Sequence, residues 1–463
     1  MLDPEDWGAF RAEAHRAIDA ALDALERVRD VPVWRAIPDD VRASFATPMP
    51  QGPSPLPAVV ARYERTIAAY PIGNQHPRFF GWVHGSATPS SALADALAAF
   101  GDFNLGGREH AAVYAERQVV GWFATLFGMP PGAGGLCTLG TSMANLLAVV
   151  AARGRGPADP RRVGYASAAL HGSLTKAFAA AGFGAEALRK IPVDADDRID
   201  AAALEARIAA DRADGFAPFF LVGCAGTVGI GAIDPLDALA AIARREGLHF
   251  HVDGAFGALA ALAPSLRARL TGIEAADTIA FDFHKWLRVP YDAGCLIARD
   301  PALLSTAFAH GGGYLNRAES GPAAGAPWFG DLGIDLSRGF RALKVWFALH
   351  EHGAARLGAS VERNVALARR LGALVDADPM LERLAPVPLN IVCFRCRAPG
   401  LSGEDLDRFT DALATRLGES GRAVVSTLPR PGGLALRACI ANHRTVDADL
   451  DELIAAVTSC ATA

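Results

Sequence analysis

The chain has 463 residues, 51% of them hydrophobic and 21% charged, a globular composition too long for one ordinary core. It fits a large domain with one or two smaller ones. A net charge of −5 without a basic run argues against nucleic acid as a partner.

The start, Met1-Leu-Asp-Pro-Glu-Asp-Trp7, is acidic and has no apolar core, so it is not a secretory signal. Residues 4–28 carry Trp7, Phe10, Ala14, Ile18, Leu22 and Leu25 at helical spacing, with Asp3 as the expected N-cap. Residues 46–57 are rich in Pro, Gly and Ser and predict a linker, and 56–69 a second helix. Residues 1–75 are thus a helical arm without a core of its own, of the kind that packs on another domain or subunit.

Gln118–Ala152 carries no charge, but Pro130, Pro131 and several glycines cut it into pieces too short for a membrane span of roughly 20 residues. From about 110 onward, helices alternate with short apolar strands. Helices are predicted at 142–153, 173–181, 201–212 and 235–245, and strands at 162–167, 188–193, 218–223 and 248–252. Near-continuous apolar strands between helices indicate a mainly parallel sheet covered on both faces. In such α/β sheets ligands sit beyond the carboxyl ends of the strands. A Gly/Ala/Pro-rich loop is expected over 311–337, then a long helix at 338–352. The remainder alternates strand (391–395, 423–427, 434–440) and helix (405–417, 447–458), a smaller α+β domain. The domain limits are therefore 1–75, 76–337 and 338–463.

The seven cysteines are odd in number and scattered, as in a reducing cytosol, so a cytoplasmic location is expected. Cys393 and Cys396 lie three apart in a predicted strand and point to opposite faces; no second Cys or His pair accompanies them, and no metal site is predicted.

Four short stretches carry chemistry. Leu139-Gly-Thr-Ser142 opens a helix, where Gly140, Thr141 and Ser142 offer backbone N–H groups, hydroxyls and the positive end of the macrodipole to a phosphate, or merely cap the helix. No Walker lysine and no G-x-G-x-x-G is present, which weakens nucleotide readings. His171 stands at the next strand-to-helix junction, where an imidazole can cover a flat aromatic ligand or simply cap. Asp253 ends the strand at 248–252, where a carboxylate can pair with a cationic ring nitrogen. Lys285, in Phe281-Asp-Phe-His-Lys-Trp-Leu287, lies between predicted strands at 276–281 and 293–298. A lysine there either snorkels to solvent or, desolvated, attacks a carbonyl. A phosphate turn, a stacking imidazole, a carboxylate for a ring nitrogen and an amine for an aldehyde are together what pyridoxal 5′-phosphate (PLP) requires.

The chain also resembles the fold type I PLP-dependent decarboxylases of the aromatic-amino-acid, histidine and glutamate group. The likeness runs over nearly the whole length. It rests on His76-Pro-Arg-Phe-Phe-Gly81, Glu116–Trp122, Phe127–Pro130, Gly140–Asn145, His171, Gly226-Thr-Val-Gly-Ile-Gly-Ala-Ile-Asp-Pro235, Asp253-Gly-Ala, His284-Lys-Trp286, Ser337–Lys344 and Leu436–Asn442. The resemblance implies a seven-stranded sheet, a homodimer, and loss of CO₂ from an L-amino acid, an aromatic one being favoured. It implies that Lys285 holds PLP, that Asp253 keeps the ring nitrogen protonated and that His171 stacks on the ring. Gly140, Thr141, Ser142, Thr227 and Asp282 complete the cofactor set. His284 would position the carboxylate or relay a proton. His76, Phe79, Trp82, Phe103 and Arg437 are the candidate substrate contacts, Arg437 having an equally good structural role.

Two departures matter. The family's Gly-Gly at the phosphate turn is Gly140-Thr141 here. The aromatic branch carries a loop tyrosine that protonates Cα after decarboxylation. Counting back without gaps from Ser337–Lys344 puts Phe329 at that position, an exchange associated in the family with O₂-dependent aldehyde formation. Tyr314 lies in the same loop. A catalytically silent scaffold is the remaining alternative, disfavoured by intact Lys285, Asp253 and His171.

Overall fold

Buried strands and their covering helices arise where the sequence pattern asks for them. The structure, a computed structural model, describes residues 2–156, 159–309 and 317–462. Tyr314 lies outside the described residues. The chain divides into a large unit (83–370 with 385–392) and a small one (1–82, 371–384 and 393 onward).

The large unit is built on a seven-stranded sheet of β1 (Gly134–Thr138), β2 (Arg162–Ser167), β3 (Leu188–Ile191), β4 (Ala217–Cys224), β5 (His249–Asp253), β6 (Thr278–Asp282) and β7 (Gly294–Ala298). Their order is β1-β7-β6-β5-β4-β2-β3. The pairs among β2 to β6 are parallel, and β7 alone runs against its two neighbours. Every residue of β5, β6 and β7 is buried; β7 is apolar throughout, while β5 alternates His249, His251 and Asp253 with Phe250 and Val252. Phe220 on β4 shows the packing: its ring meets Phe178 edge-on at 5.7 Å and stacks on His249 at 5.2 Å. Burying such a ring stabilises the fold by about 1.5–3 kcal/mol. Because β1, β2, β4, β5 and β6 share one direction, their carboxyl ends form one edge.

The small unit has a four-stranded sheet, order β10-β11-β9-β8, from β8 (Leu381–Arg383), β9 (Ile391–Cys396), β10 (Ser426–Arg430) and β11 (Gly433–Cys439). The helix Trp7–Glu26 buries no residue, and Arg16 ties it to Glu64 at 3.0 Å. Asp6, not Asp3, caps it, accepting from the N–H groups of Gly8 and Ala9. The helix expected at 338–352 runs instead from Ala342 to Ala377, interrupted by a non-helical Gly353. The strand expected at 423–427 is displaced to Ser426–Arg430. None of the seven cysteines forms a disulfide. Among the described residues no His/Cys/Asp/Glu group is arranged to hold a metal, and no helix is long and apolar enough to cross a membrane.

Candidate active site

The carboxyl edge of the large sheet gathers most of the sequence-marked groups. Lys285 is not between two plain strands but in a helical turn, Phe283–Trp286, that follows β6. The turn puts Lys285 three residues after Asp282, and Lys285 Nζ lies 3.0 Å from Asp282 Oδ2. The lysine side chain keeps 21% of its exposure while the carboxylate keeps 4%. Main chain packs tightly here: a Cβ on Gly85 would stand 1.9 Å from the carbonyl oxygen of His284, so only glycine fits.

His284 is buried and its Nδ1 accepts the N–H of Ala293 at 3.1 Å. Burial pushes its pKa down, against the opposing pull of Asp282, so the ring is neutral with its proton on Nε2. That Nε2 faces Asp282 Oδ2 at 3.6 Å. Tyr291 covers the His284 ring, centroids 4.2 Å apart. Burial, and then the charge of Lys285, also lower the pKa of the neighbouring His84.

Asp253 closes β5 and is 6% exposed. Its Oδ1 accepts the Ala255 N–H and its Oδ2 accepts from Asn145 Nδ2, both at 3.1 Å. Burial raises its pKa, opposed by the Asn145 hydrogen bond, the Ala255 N–H and the charge of Lys285. His171 is exposed and caps the helix Gly172–Ala180, its Nδ1 receiving the Ser173 N–H at 3.2 Å and facing Ser173 Oγ at 2.9 Å. Capping one helix through Nδ1 leaves its ring face available to a flat ligand.

After β1, the helix Thr141–Arg153 begins at Gly140. Gly294 lies so close that a Cβ on it would stand 2.5 Å from Gly140 Cα. The Thr141 N–H donates to Asp282 Oδ1 at 2.6 Å. Thr141 Oγ1 is buried without a hydrogen-bond partner among the described residues, and Ser142 is exposed. Thr227, following β4, is buried and secures its own loop, with Oγ1 accepting the Ala232 N–H at 3.1 Å.

The donor set fits PLP. A buried carboxylate that forms no ion pair among the described residues suits a protonated ring nitrogen. An orphaned buried hydroxyl at a helix N-terminus suits a phosphate. A partly exposed primary amine suits an aldehyde.

The other predicted residues have different surroundings. Phe103, 41% exposed, lines a cavity of about 510 Å³ with Asp95, Asp102, Tyr291, Phe340 and Arg341. Phe329 is 3% exposed and belongs to the core, under the Arg338 guanidinium at 4.8 Å. No described contact joins it to Lys285, Asp253 or His171. In the small unit, His76 is buried, and burial lowers its pKa to about 4. Phe79 bridges to Val424, and Trp82 is half exposed. Arg437 is buried and donates to the Trp82 carbonyl at 3.0 Å and to Ser426 Oγ at 3.3 Å.

Sequence reasoning missed Asn145, Ser173, His251 and Tyr291. A signal existed for His251: two histidines, 249 and 251, share one face of an otherwise apolar strand.

Residues 38–397 match the pyridoxal-dependent decarboxylase conserved domain. An aromatic-L-amino-acid decarboxylase of Bacillus atrophaeus is 30% identical over 453 residues, 96% of this chain and 94% of that one. A phenylacetaldehyde synthase of a Rosa hybrid cultivar is 29% identical over 467 residues, 95% and 90% of the two chains. The crystal structure of Oryza sativa TDC with PLP and tryptamine superimposes with a TM-score of 0.91 at 26% identity, covering 100% of this chain and 99% of that one. A match over most of the chain, on a fold whose sheet edge carries the amine, the carboxylate and the imidazole, leaves one conclusion: the chain belongs to the pyridoxal-dependent decarboxylases and is a PLP-dependent carboxy-lyase.

Proposed function

We propose that this chain removes the carboxylate of an L-amino acid, an aromatic one being favoured, to give the amine and CO₂. The observation that carries the reading is the convergence of Lys285, Asp253 and His171 at one sheet edge. When bound, PLP supplies an aldehyde for the amino group and an electron-withdrawing ring.

The chain's own groups then divide the work. Lys285 Nζ would hold the cofactor at its aldehyde. Asp253 would pair with the ring nitrogen and keep a proton there. His171 would cover the ring face. Thr141 Oγ1, Ser142 and the free end of their helix receive the phosphate; Asp282 occupies the Thr141 N–H and steadies Lys285. Thr227 holds the loop after β4. His284, its Nδ1 held by the Ala293 N–H and its ring backed by Tyr291, presents an Nε2–H donor that would position the substrate carboxylate. Arg437 serves by fixing the backbone at Trp82, with His76 and Phe79 in the same segment.

An aromatic substrate is supported by the Bacillus relative and by the rings of Phe103, Tyr291 and Phe340 around one cavity. A homodimer is supported by the unburied stripe Leu93, Leu97 and Phe100 on the helix Pro89–Gly101. Sedimentation at equilibrium tests it, and a monomer at micromolar concentration would refute it.

The second reading, O₂-dependent conversion to an aldehyde, is favoured by the Rosa relative. Against it, Phe329 packs in the core, so its lack of a hydroxyl bears less on the reaction, while the loop still carries Tyr314. Amine, aldehyde, CO₂ and peroxide are to be measured together on a panel of amino acids. Amine with stoichiometric CO₂ supports the first reading; aldehyde with peroxide establishes the second. Phe329→Tyr is expected to leave the product ratio unchanged, whereas Tyr314→Phe shifts it toward aldehyde.

A further inference from the structure

Behind Asp253 runs a buried line of polar side chains that the proposed reaction does not use directly. Asn145 Nδ2 lies 3.1 Å from Asp253 Oδ2, and a carboxylate oxygen only accepts. The amide nitrogen must therefore face Asp253, which turns Asn145 Oδ1 toward His251 Nε2 at 2.9 Å. An amide oxygen also only accepts, so His251 carries its proton on Nε2. Its Nδ1 lies 2.8 Å from Thr278 Oγ1. With burial holding His251 neutral, Nδ1 accepts the threonine hydroxyl proton. Thr278 Oγ1 then accepts from His249 Nε2, also at 2.8 Å. His249 Nδ1 in turn faces Arg155 Nη1 at 3.4 Å, at the half-exposed end of the line.

Every donor direction follows from the one before it, and all point toward Asp253. A branch leaves at Asn145: its Nδ2 also reaches Ser173 Oγ at 3.1 Å, and Ser173 turns its hydroxyl proton to His171 Nδ1 at 2.9 Å. That fixes the His171 proton on Nε2. Asn145 thus holds both the carboxylate and the imidazole assigned to the cofactor ring. Buried polar groups so fully satisfied specify one arrangement.

We infer that Asn145 is the positioning residue of the cofactor ring, locked by His251, Thr278 and His249, and that this line keeps Asp253 charged and aimed at the ring nitrogen. The inference rests on the PLP reading above. Asn145 and the residues behind it touch neither substrate nor reacting atoms; they act through Asp253 and His171.

The test uses the full chain with and without PLP. In apoprotein labelled with ¹⁵N-histidine, His251 and His249 should both show the neutral Nε2–H form at pH 7; a His251 signal of the Nδ1–H form overturns the inference. In holoprotein carrying PLP labelled at the ring nitrogen, the wild type should show a protonated ring nitrogen. Asn145→Ala should shift that signal toward the unprotonated position and weaken PLP binding on the order of tenfold. An unchanged ring-nitrogen signal in folded Asn145→Ala overturns the inference. Thr278→Val breaks the line at its midpoint without altering the site, and should weaken PLP binding less than Asn145→Ala does. Thr278→Ser, which keeps the hydroxyl, should restore it, and equal binding in the Val and Ser variants overturns the role of the line. Borohydride trapping of PLP on wild-type Lys285 is the separate check: its failure would sink the parent reading, while the apoprotein histidine signals still decide whether the line exists.

Discussion

Two carboxylate–cation pairs in the large unit look alike on paper and behave differently. Glu116 and Arg338 meet at 2.6 Å, with side chains 0% and 1% exposed. Asp282 and Lys285 meet at 3.0 Å, but the lysine remains a fifth exposed. The first pair is sealed by main chain: Glu116 Oε1 also takes the Cys137 N–H, and Arg338 donates to the carbonyls of Leu105 and Cys137. The planar guanidinium satisfies several acceptors at once, which an ammonium point charge does not do as rigidly. The second pair leaves its cation with room to leave. A closed pair holds strand β1 against its helix and loop; an open pair leaves its amine within reach of solvent.

The comparison breaks if the two pairs respond alike to mutation. Lys285→Ala should reduce turnover by about 10³-fold or more and abolish borohydride-trapped PLP, with the denaturation midpoint little changed. A mutant retaining a tenth of wild-type activity would remove Lys285 from its assigned role. Glu116→Ala, by stranding a buried guanidinium, should destabilise the fold by about 3–5 kcal/mol in denaturant titrations. PLP bound per folded molecule should stay at the wild-type level, and a loss of PLP without a loss of stability would reverse the contrast.

The histidines on β5 sharpen it further. Burial lowers both His249 and His251 to about 3, from an ordinary value near 6.5. Below pH 6.5 the unfolded chain binds protons that the folded chain refuses, so stability should fall as pH drops from 6.5 toward 3. The loss should reach several kcal/mol in total. His251→Asn should flatten that dependence, and an identical pH profile in the variant would contradict it. The smallest effect concerns Asp253. Its folded pKa is raised by burial, so the folded apoprotein binds the extra proton between the unfolded and folded values. Stability then declines as pH rises through that window and stays lower above it. Asp253→Asn should make the apoprotein slightly more stable at pH 8 while losing PLP affinity; a less stable Asn variant there would count against the assignment.

Much of this was legible in the chain itself. Near-continuous apolar strands between helices indicate a covered parallel sheet, and Asp253 and Lys285, just past the strands at 248–252 and 276–281, stand where such sheets bind ligands. Strand–helix alternation does not encode direction, so the reversal of β7 could not be read from its composition. Asn145 sits in a run of small apolar residues and would pass for a tolerated polar in a helix. Its meaning depends on Asp253 and His251, more than a hundred residues away, being brought to within 3.1 Å and 2.9 Å of it. Phe329 shows a different limit: an ungapped count across a long loop marks a ring that the structure places in the core. Loop register has no periodicity to anchor it, whereas strands and helices do.

The helix Thr141–Arg153 carries Thr141, assigned to the phosphate, and Asn145, assigned to the opposite end of the cofactor ring, one turn apart. Four residues of helix advance about 6 Å and return to nearly the same face. The helix therefore works as a ruler whose two graduations are side chains. Substitution between the marks, at the partly buried Met143, leaves the measurement intact. One inserted or deleted residue there would swing Asn145 by about 100° and detach the carboxylate end of the site from the phosphate end. In a scan of the gene, this short segment should tolerate exchange at Met143 and refuse any change in the number of its residues.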